Sequence, residues 1–346
     1  MNNTTEIWIP NTNVVTYITF EVIVAIIATI GNLLILVAFC VEKKLRKLTN
    51  YYILSLTIAD LLVGLVGIPS AILVKIGLPM NAFTSCLMML SLLMVLCTVS
   101  IFNLVAVSLD RYWAILHPFK YYTKMSNRAA TVIIIVCWLL GSIIGFLPLF
   151  GWNNGPKEDG RCVFIPTIDY NFLVLIYFGT IIYPGSLMAY FYFKIYSVII
   201  SQIRRSRNST VLSEEKKRPA LSQQNSTDSF STAKNKIRKS TLFFLNHREI
   251  SKTKGLSIIV LVFMLCWIPL YTANCILAFC KTCKIPLSLM EFFIVLSHAN
   301  SAINPFLYAY QMKDFQRIIC NLIRCKTFEK RKIFPSTITT ETMSFR

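Results

Sequence analysis

Of the ionisable side chains inside long apolar stretches of the sequence, four matter most for chemistry: Glu21, Asp60, Arg111 and His298. At the centre of a bilayer-spanning helix such a group costs about 2.5–3.5 kcal/mol on insertion scales, so each calls for a partner or a function. Asp60 closes the run L-S-L-T-I-A-D, and Asn32, Ser100, Asn300 and Ser301 are candidates to supply it with oxygens and donors. A carboxylate among neutral oxygens suits a sodium ion, by extension of the hard-cation logic for calcium. A purely structural polar cluster is the other reading. Arg111, within Asp110-Arg111-Tyr112, and Glu249 have the charges to tie two apolar segments together. The alternative is an arginine that snorkels to the interface beside an unrelated glutamate. No set of nucleophile, base and oxyanion donors stands out, so the residues do not suggest an enzyme.

The elements that must position these groups are long and apolar. The chain has 346 residues, 55% hydrophobic and 15% charged, with a mean hydropathy of +0.59; soluble chains usually carry about 25% charge. Seven stretches near 16–40, 51–75, 84–116, 129–151, 170–200, 255–279 and 287–310 reach the ~20 residues a crossing needs. Runs such as Ile258 to Leu270 lack strand alternation and are too long for barrel strands, so they read as helices. Pro69, Pro184, Pro269 and Pro305 fall inside them and read as kinks, because neighbouring groups in a bundle re-satisfy the freed carbonyls. The expected fold is an all-α membrane bundle of seven helices over 16–310. An amphipathic stretch at 311–325 would lie on the membrane surface, followed by a tail over 326–346.

The net charge is +19, and its distribution sets the orientation. Thirty of the 35 Lys and Arg fall in alternate loops and the tail; the other five are Lys75, Lys157, Arg161, Lys281 and Lys284. By the positive-inside rule the side with thirty is cytoplasmic, which puts the N-terminal segment 1–15 outside and the C-terminus inside. The cations avoid the apolar blocks, so the charge does not indicate nucleic-acid binding. The polar start lacks a positive n-region and an apolar h-region, so no cleaved signal is expected. Asn2 and Asn3 each begin a sequon on the glycosylation-competent side, whereas the Asn208 and Asn225 sequons fall inside. The segment 201–250, rich in Ser, Asn, Gln and Lys, reads as a flexible cytoplasmic loop, either a plain solvated linker or a set of kinase sites.

Eleven cysteines form no metal pattern. Cys86 and Cys162 share the outer side, so a disulfide between them fits the compartment. Cys280 and Cys283 make C-K-T-C in a short outer loop, where a small disulfide is preferred over a zinc half-site without a second pair. Cys320 and Cys325 follow the amphipathic stretch, a setting for palmitoylation. Cys40, Cys97, Cys137, Cys266 and Cys275 read as buried thiols.

Taken together over about 16–325, the motifs resemble the rhodopsin-like class of G-protein-coupled receptors. They are G-N at Asn32, L-x-x-x-D at Asp60, D-R-Y at Arg111, Trp138, Pro184 with Tyr192, C-W-I-P at Trp267 and Pro269, and N-P-F-L-Y at Asn304, Pro305 and Tyr308. Each is weak alone; their order, one helix apiece, carries the resemblance. An amine receptor's helix-three Asp is Leu93 here, and an opsin's helix-seven Lys is His298. Within the class the chain is most similar to the adenosine receptors, through V-T-Y-I-T-F-E, G-W-N-N, C-W-I-P-L-Y-T-A-N-C and L-S-H-A-N-S-A-I-N-P.

That resemblance implies a plasma-membrane receptor for extracellular adenosine or a related purine nucleoside, acting through heterotrimeric G proteins and adenylate cyclase. Receptor kinases, arrestin and membrane lipids are the further partners it implies, with no cofactor beyond an allosteric sodium ion near Asp60. It implies that Phe164 stacks on adenine and that Asn274 meets the amino group and ring nitrogen. Leu270, Met290 and Ile294 would supply walls over Trp267, and Ser297 and His298 would face the ribose, with Glu21 fixing the His298 tautomer. Arg111, Glu249, Tyr192, Asn304 and Tyr308 would form the activation switch. The chain departs from the family at Ile165, where an acidic residue follows the loop Phe, and at Tyr271, Cys97 and Ile176 in place of His, Thr and Asn. These departures motivate a rival: a receptor of the same fold for a lipid or modified nucleoside. A transporter or channel would show inverted repeats, and none is evident.

Overall fold

The computed structural model describes residues 12–46, 48–156, 158–215, 257–280, 282–311 and 313–323. Seven long helices run through them: α1 (Thr12–Val41), α2 (Asn50–Lys75), α3 (Phe83–Leu116), α4 (Asn127–Phe146), α5 (Tyr170–Ser201), α6 (Ser257–Phe279) and α7 (Leu287–Gln311). The first six are long and apolar enough to cross a membrane. The 25 residues of α7 span about 37 Å at the helical rise, which is also sufficient. Its lower hydropathy comes from buried polar groups, among them Glu291, Ser297, His298, Asn300, Ser301 and Asn304. An amphipathic α8 (Lys313–Ile323) follows, packed against α1 and α7 through Phe315, whose ring lies 5.3 Å from Phe39 and 6.3 Å from Tyr308.

Helix α3 is the axis of the bundle and packs against α2, α4 and α5. Its approach to α4 depends on G-S-I-I-G, where Gly141 and Gly145 lie one turn apart. A Cβ on Gly145 would stand 2.5 Å from the Val95 amide nitrogen and 2.7 Å from its Cα. Small residues at this spacing let membrane helices meet backbone to backbone. Trp138 ties α4 to α2 by donating to Ser55 Oγ at 3.0 Å. On the other flank, α1 packs along α7, with Gly31 against Pro305 and Asn32 Nδ2 donating to the Ser301 carbonyl at 3.0 Å.

Two of the prolines expected to kink their helices follow a local irregularity. A π-helical segment, Val63–Gly67, lies just ahead of Pro69, and another, Tyr177–Ile182, just ahead of Pro184. Wider turns there let the hydrogen-bond ladder resume around a residue with no N–H.

Several boundaries differ from the sequence reading. Helix α1 begins at Thr12, and α4 ends at Phe146 rather than near 151. There Pro148 enters a turn that closes at Gly151, with φ of +113°. Helix α5 is helical through Glu215, so the segment expected to be loop from 201 is in part its polar extension. No Gly or Pro interrupts it before Pro219. Residues 216–256, with Glu249, lie outside the described residues, as do Asn2, Asn3 and Cys325. Cys97, Cys137 and Cys266 are buried, but Cys40 is exposed and Cys275 only partly buried. Both correct the expectation of buried thiols: these positions lie on outward-facing parts of α1 and α6.

Disulfides join Cys86 to Cys162 and Cys280 to Cys283. The first pins the loop between α4 and α5 to the start of α3. That loop is further fixed by an isolated bridge between Asn153 and Ile168 and by Asp169. The Asp169 carboxylate accepts from Trp152 Nε1 at 3.2 Å and caps α5 by accepting from the Asn171 and Phe172 amides.

Candidate functional site

Two polar constellations lie inside the bundle. Toward the disulfide end, α1 and α7 bring together Glu21 and His298, with His298 Nδ1 at 2.9 Å from each carboxylate oxygen. Both side chains are fully enclosed, at 0% and 4% exposure. A carboxylate only accepts, so Nδ1 carries the proton in this contact, and Nε2 of a neutral ring is left as an acceptor. One residue earlier, Ser297 Oγ donates to the Ile294 carbonyl at 2.7 Å, which leaves the hydroxyl oxygen with acceptor capacity.

Asn274 is buried on α6, one helical turn beyond Leu270 and two beyond Trp267. Trp267 lies between Phe263, at 6.1 Å, and Tyr271, at 5.6 Å, and its Nε1 is buried without a hydrogen-bond partner among the described residues. Tyr271 stacks on Tyr177 of α5, with planes 15° apart at 6.3 Å. Cys97 and Ile176 are buried. Phe164 opens the short helix Phe164–Thr167 two residues after the bridging Cys162. Half-buried, it packs with Tyr271 against a cluster formed by Cys86, Leu90, Met94 and Phe172. Met290 is buried at the start of α7.

The second constellation surrounds Asp60. Its Oδ1 accepts from Ser100 Oγ and Ser301 Oγ, both at 2.9 Å, and its Oδ2 from Asn304 Nδ2 at 2.7 Å. Thus α2, α3 and α7 meet on one carboxylate. Asn304 takes the place the sequence reading gave to Asn300, because it lies one turn further along the face of α7 that Ser301 shares. Asn32 is likewise not a partner of Asp60; it bonds the Ala28 and Ser301 carbonyls. Among the described residues the Oδ1 atoms of Asn300 and Asn304 are buried without hydrogen-bond partners. Asp60, Ser100 and Ser301 gather hard oxygens at one point between the helices. Among the described residues no group of three or more His, Cys, Asp or Glu could hold a metal ion.

At the opposite end of α3, Arg111 is buried at 2% exposure and paired with Asp110 at 2.6 Å, rather than snorkelling outward. Asp110 also accepts from Tyr121 at 2.8 Å, on the short helix Pro118–Lys124. The hydroxyls of Tyr192 and Tyr308 are buried, that of Tyr192 beside Ser108 and that of Tyr308 without a hydrogen-bond partner among the described residues. Cys320 is exposed on α8.

The sequence reading missed a third group beside Glu21. Lys75 Nζ, at the end of α2, lies 2.6 Å from Glu291 Oε1 and 5.4 Å from the centroid of the Tyr17 ring. Lys75 had weight only as one of five outer cations. The available signal was spacing, since Glu291 and His298 are seven residues apart and share one stripe of α7.

The comparisons with known proteins agree with this architecture. Residues 31–308 match the family model described as 7 transmembrane receptor (rhodopsin family). The chain is 34% identical over 333 residues to adenosine receptor A2a of Canis lupus familiaris, covering 92% of this chain and 74% of that one. It is 33% identical to the Homo sapiens A2a receptor with the same coverage. It is 34% identical over 342 residues to adenosine receptor A2b of Gallus gallus, covering 92% of each. Seven helices in order, the bridged loop and a family match over most of its length establish that the chain belongs to the rhodopsin family of seven-transmembrane receptors.

Proposed function

We propose that the chain is a plasma-membrane receptor for extracellular adenosine or a closely related purine nucleoside, coupled to heterotrimeric G proteins that alter adenylate cyclase activity. The observation that carries the reading is the buried Glu21–His298 pair beside Ser297, which offers two acceptors to the hydroxyl donors of a ribose. Asn274 offers adenine a donor and an acceptor side by side, the complement of its amino group and ring nitrogen. Phe164 gives a face for stacking, worth about 1–3 kcal/mol in nucleic-acid binders. Leu270, Met290 and Ile294 serve as apolar walls above Trp267.

The basic side faces the cytoplasm and the disulfide end faces outward, with Asn2 and Asn3 as glycosylation sites and Cys320 and Cys325 as palmitoylation sites. Agonist binding favours a state in which α6 moves away from the Arg111 end and a G protein docks there; receptor kinases and arrestin act on that same state. The ligand must bind it more tightly than the resting state. Arg111, Glu249, Tyr192, Asn304 and Tyr308 are the groups that rearrange. A sodium ion on Asp60, Ser100, Ser301 and the asparagine oxygens opposes the change. A second reading, a different small ligand on the same fold, is favoured by Tyr271, whose stack with Tyr177 occupies space between α5 and α6.

The test is saturation binding of a radiolabelled adenosine analogue to membranes, wild type against Asn274→Ala. Loss of the paired hydrogen bonds is expected to weaken binding by about ten- to a hundredfold, the 1–3 kcal/mol of a bidentate adenine contact. Absence of saturable binding and of a cAMP response in cells displaying the receptor, or an unaltered Asn274→Ala variant, would refute the adenosine reading.

A further inference from the structure

We propose that Lys75, Glu291 and Tyr17 form a positioning set for the His298 ring, and so determine how tightly a ligand's sugar hydroxyl is held. The inference rests on the nucleoside reading above. Two facing stripes carry it. On α1, Tyr17 and Glu21 lie one turn apart; on α7, Glu291 and His298 lie two turns apart. Helix α2 ends between them on Lys75. All four residues on α1 and α7 are buried, and the Lys75 side chain is 22% exposed.

The chemistry is a competition between two carboxylates for a limited set of donors. The Tyr17 hydroxyl faces Glu21, with the Glu291 charge also acting on it. Lys75, at 2.6 Å, holds Glu291 toward α2 and lies over the Tyr17 ring. With Glu291 occupied, the Tyr17 hydroxyl and His298 Nδ1 are both directed to Glu21. The two 2.9 Å contacts to His298 then fix the ring plane and the direction of Nε2. Without the ammonium, Glu291 is a buried, uncompensated charge whose field acts on the same hydroxyl. Tyr17 then has two acceptors to choose from, Glu21 loses its second donor, and the aim of Nε2 loosens. Lys75, Glu291 and Tyr17 act through Glu21 and His298 rather than by touching the ligand.

The test uses the full-length receptor in cell membranes, with surface receptor counted through an epitope tag. Adenosine, 2′-deoxyadenosine and 3′-deoxyadenosine compete with a radiolabelled adenosine analogue. The deoxy compound that wild type holds more weakly identifies the hydroxyl that meets His298. Lys75→Met and Tyr17→Phe are expected to weaken adenosine about tenfold, the order of one compromised hydrogen bond to a charged group. That deoxy compound should change by less than about twofold, because the bond at issue is already missing. The exchanged pair Lys75→Glu with Glu291→Lys should recover most of the adenosine affinity. Tyr17→Phe keeps the ring and the ion pair, so it reports on the hydroxyl alone even if the exchanged pair does not reach the surface. Equal weakening of all three ligands, or wild-type behaviour of Tyr17→Phe, overturns the proposal and leaves a tie between α2 and α7. If wild type binds no adenosine, the nucleoside reading fails and this inference with it. If wild type binds and Asn274→Ala does not, but the ligand ratios stay constant, only this inference fails.

Discussion

Replacing Asp60 by Asn and by Ala separates its hydrogen-bonding role from its charge. In Asp60→Ala three buried donors lose their acceptor: Ser100 Oγ, Ser301 Oγ and Asn304 Nδ2. The serines have a fallback, since a helical hydroxyl can return to the carbonyl one turn back, as Ser108 does to Leu104 at 2.8 Å. Asn304, buried at 0% exposure, has no comparable fallback. One stranded donor at about 1–3 kcal/mol, plus a small cavity, puts the cost near 2–4 kcal/mol. Asp60→Asn behaves differently. Its oxygen still accepts from both serines, and its new amide group meets Asn304. That side chain can flip to offer an Oδ1 now buried without a partner, exchanging one unpartnered amide atom for another. The cost should then stay below about 1 kcal/mol. The assay is the thermal midpoint of detergent-solubilised receptor, with agonist binding titrated with sodium against a potassium control. Asp60→Asn should melt close to wild type yet lose its sodium response, while Asp60→Ala loses both. An Asn variant as unstable as the Ala variant refutes the flip argument; a sodium response surviving in Asp60→Asn refutes the ion site.

Two further outcomes follow from packing and chain entropy. The clash at Gly145 is with Val95 backbone, so Gly145→Ala should destabilise by about 1–3 kcal/mol, and trimming Val95 to Ala should not rescue it. Gly179→Ala, with nothing within 4 Å of the added carbon, is the control that should express normally. The Cys86–Cys162 bridge closes 76 residues and Cys280–Cys283 only 3. On the chain-entropy model, Ser replacements should therefore cost roughly 4–5 and roughly 2 kcal/mol respectively. Comparable losses in thermal denaturation of the two variants would show that loop length is not what decides their worth.

The helices were legible because a bilayer demands long apolar segments whose backbone bonds are internal. Six meet that demand outright, and α7 was read from the length of its apolar stretch although its buried polar stripe dilutes its hydropathy. Ends were less legible. The stop of α4 at Phe146 depends on how Pro148 and Gly151 turn the chain, and the run of α5 to Glu215 depends on helix propensity with little apolar signal. The polar partners of Asp60 were found by residue type, but the choice of Asn304 over Asn300 depends on the axial level of α7. The two asparagines share nearly one face of the helix, one turn apart, and the packing depth decides which meets the carboxylate.

The Lys75 group shows why the remainder of the site was hidden. Charge near a helix end is ordinarily read as topology, and Lys75 has that value whether or not it touches anything. Its second role exists only because α1 packs along α7 and Lys75 at the end of α2 reaches both. That packing follows from close approach: Gly31 lies against Pro305, and Asn32 reaches the Ser301 carbonyl deeper in the same seam. Those motif residues bring the two helices near enough for Glu21 to meet His298 and for Lys75 to reach both Glu291 and the Tyr17 ring. Small motif residues thus set the spacing, and the charged residues of the seam use it. A search for ligand selectivity in this receptor should begin at the seam of α1, α2 and α7 and include the residues that do not touch the ligand.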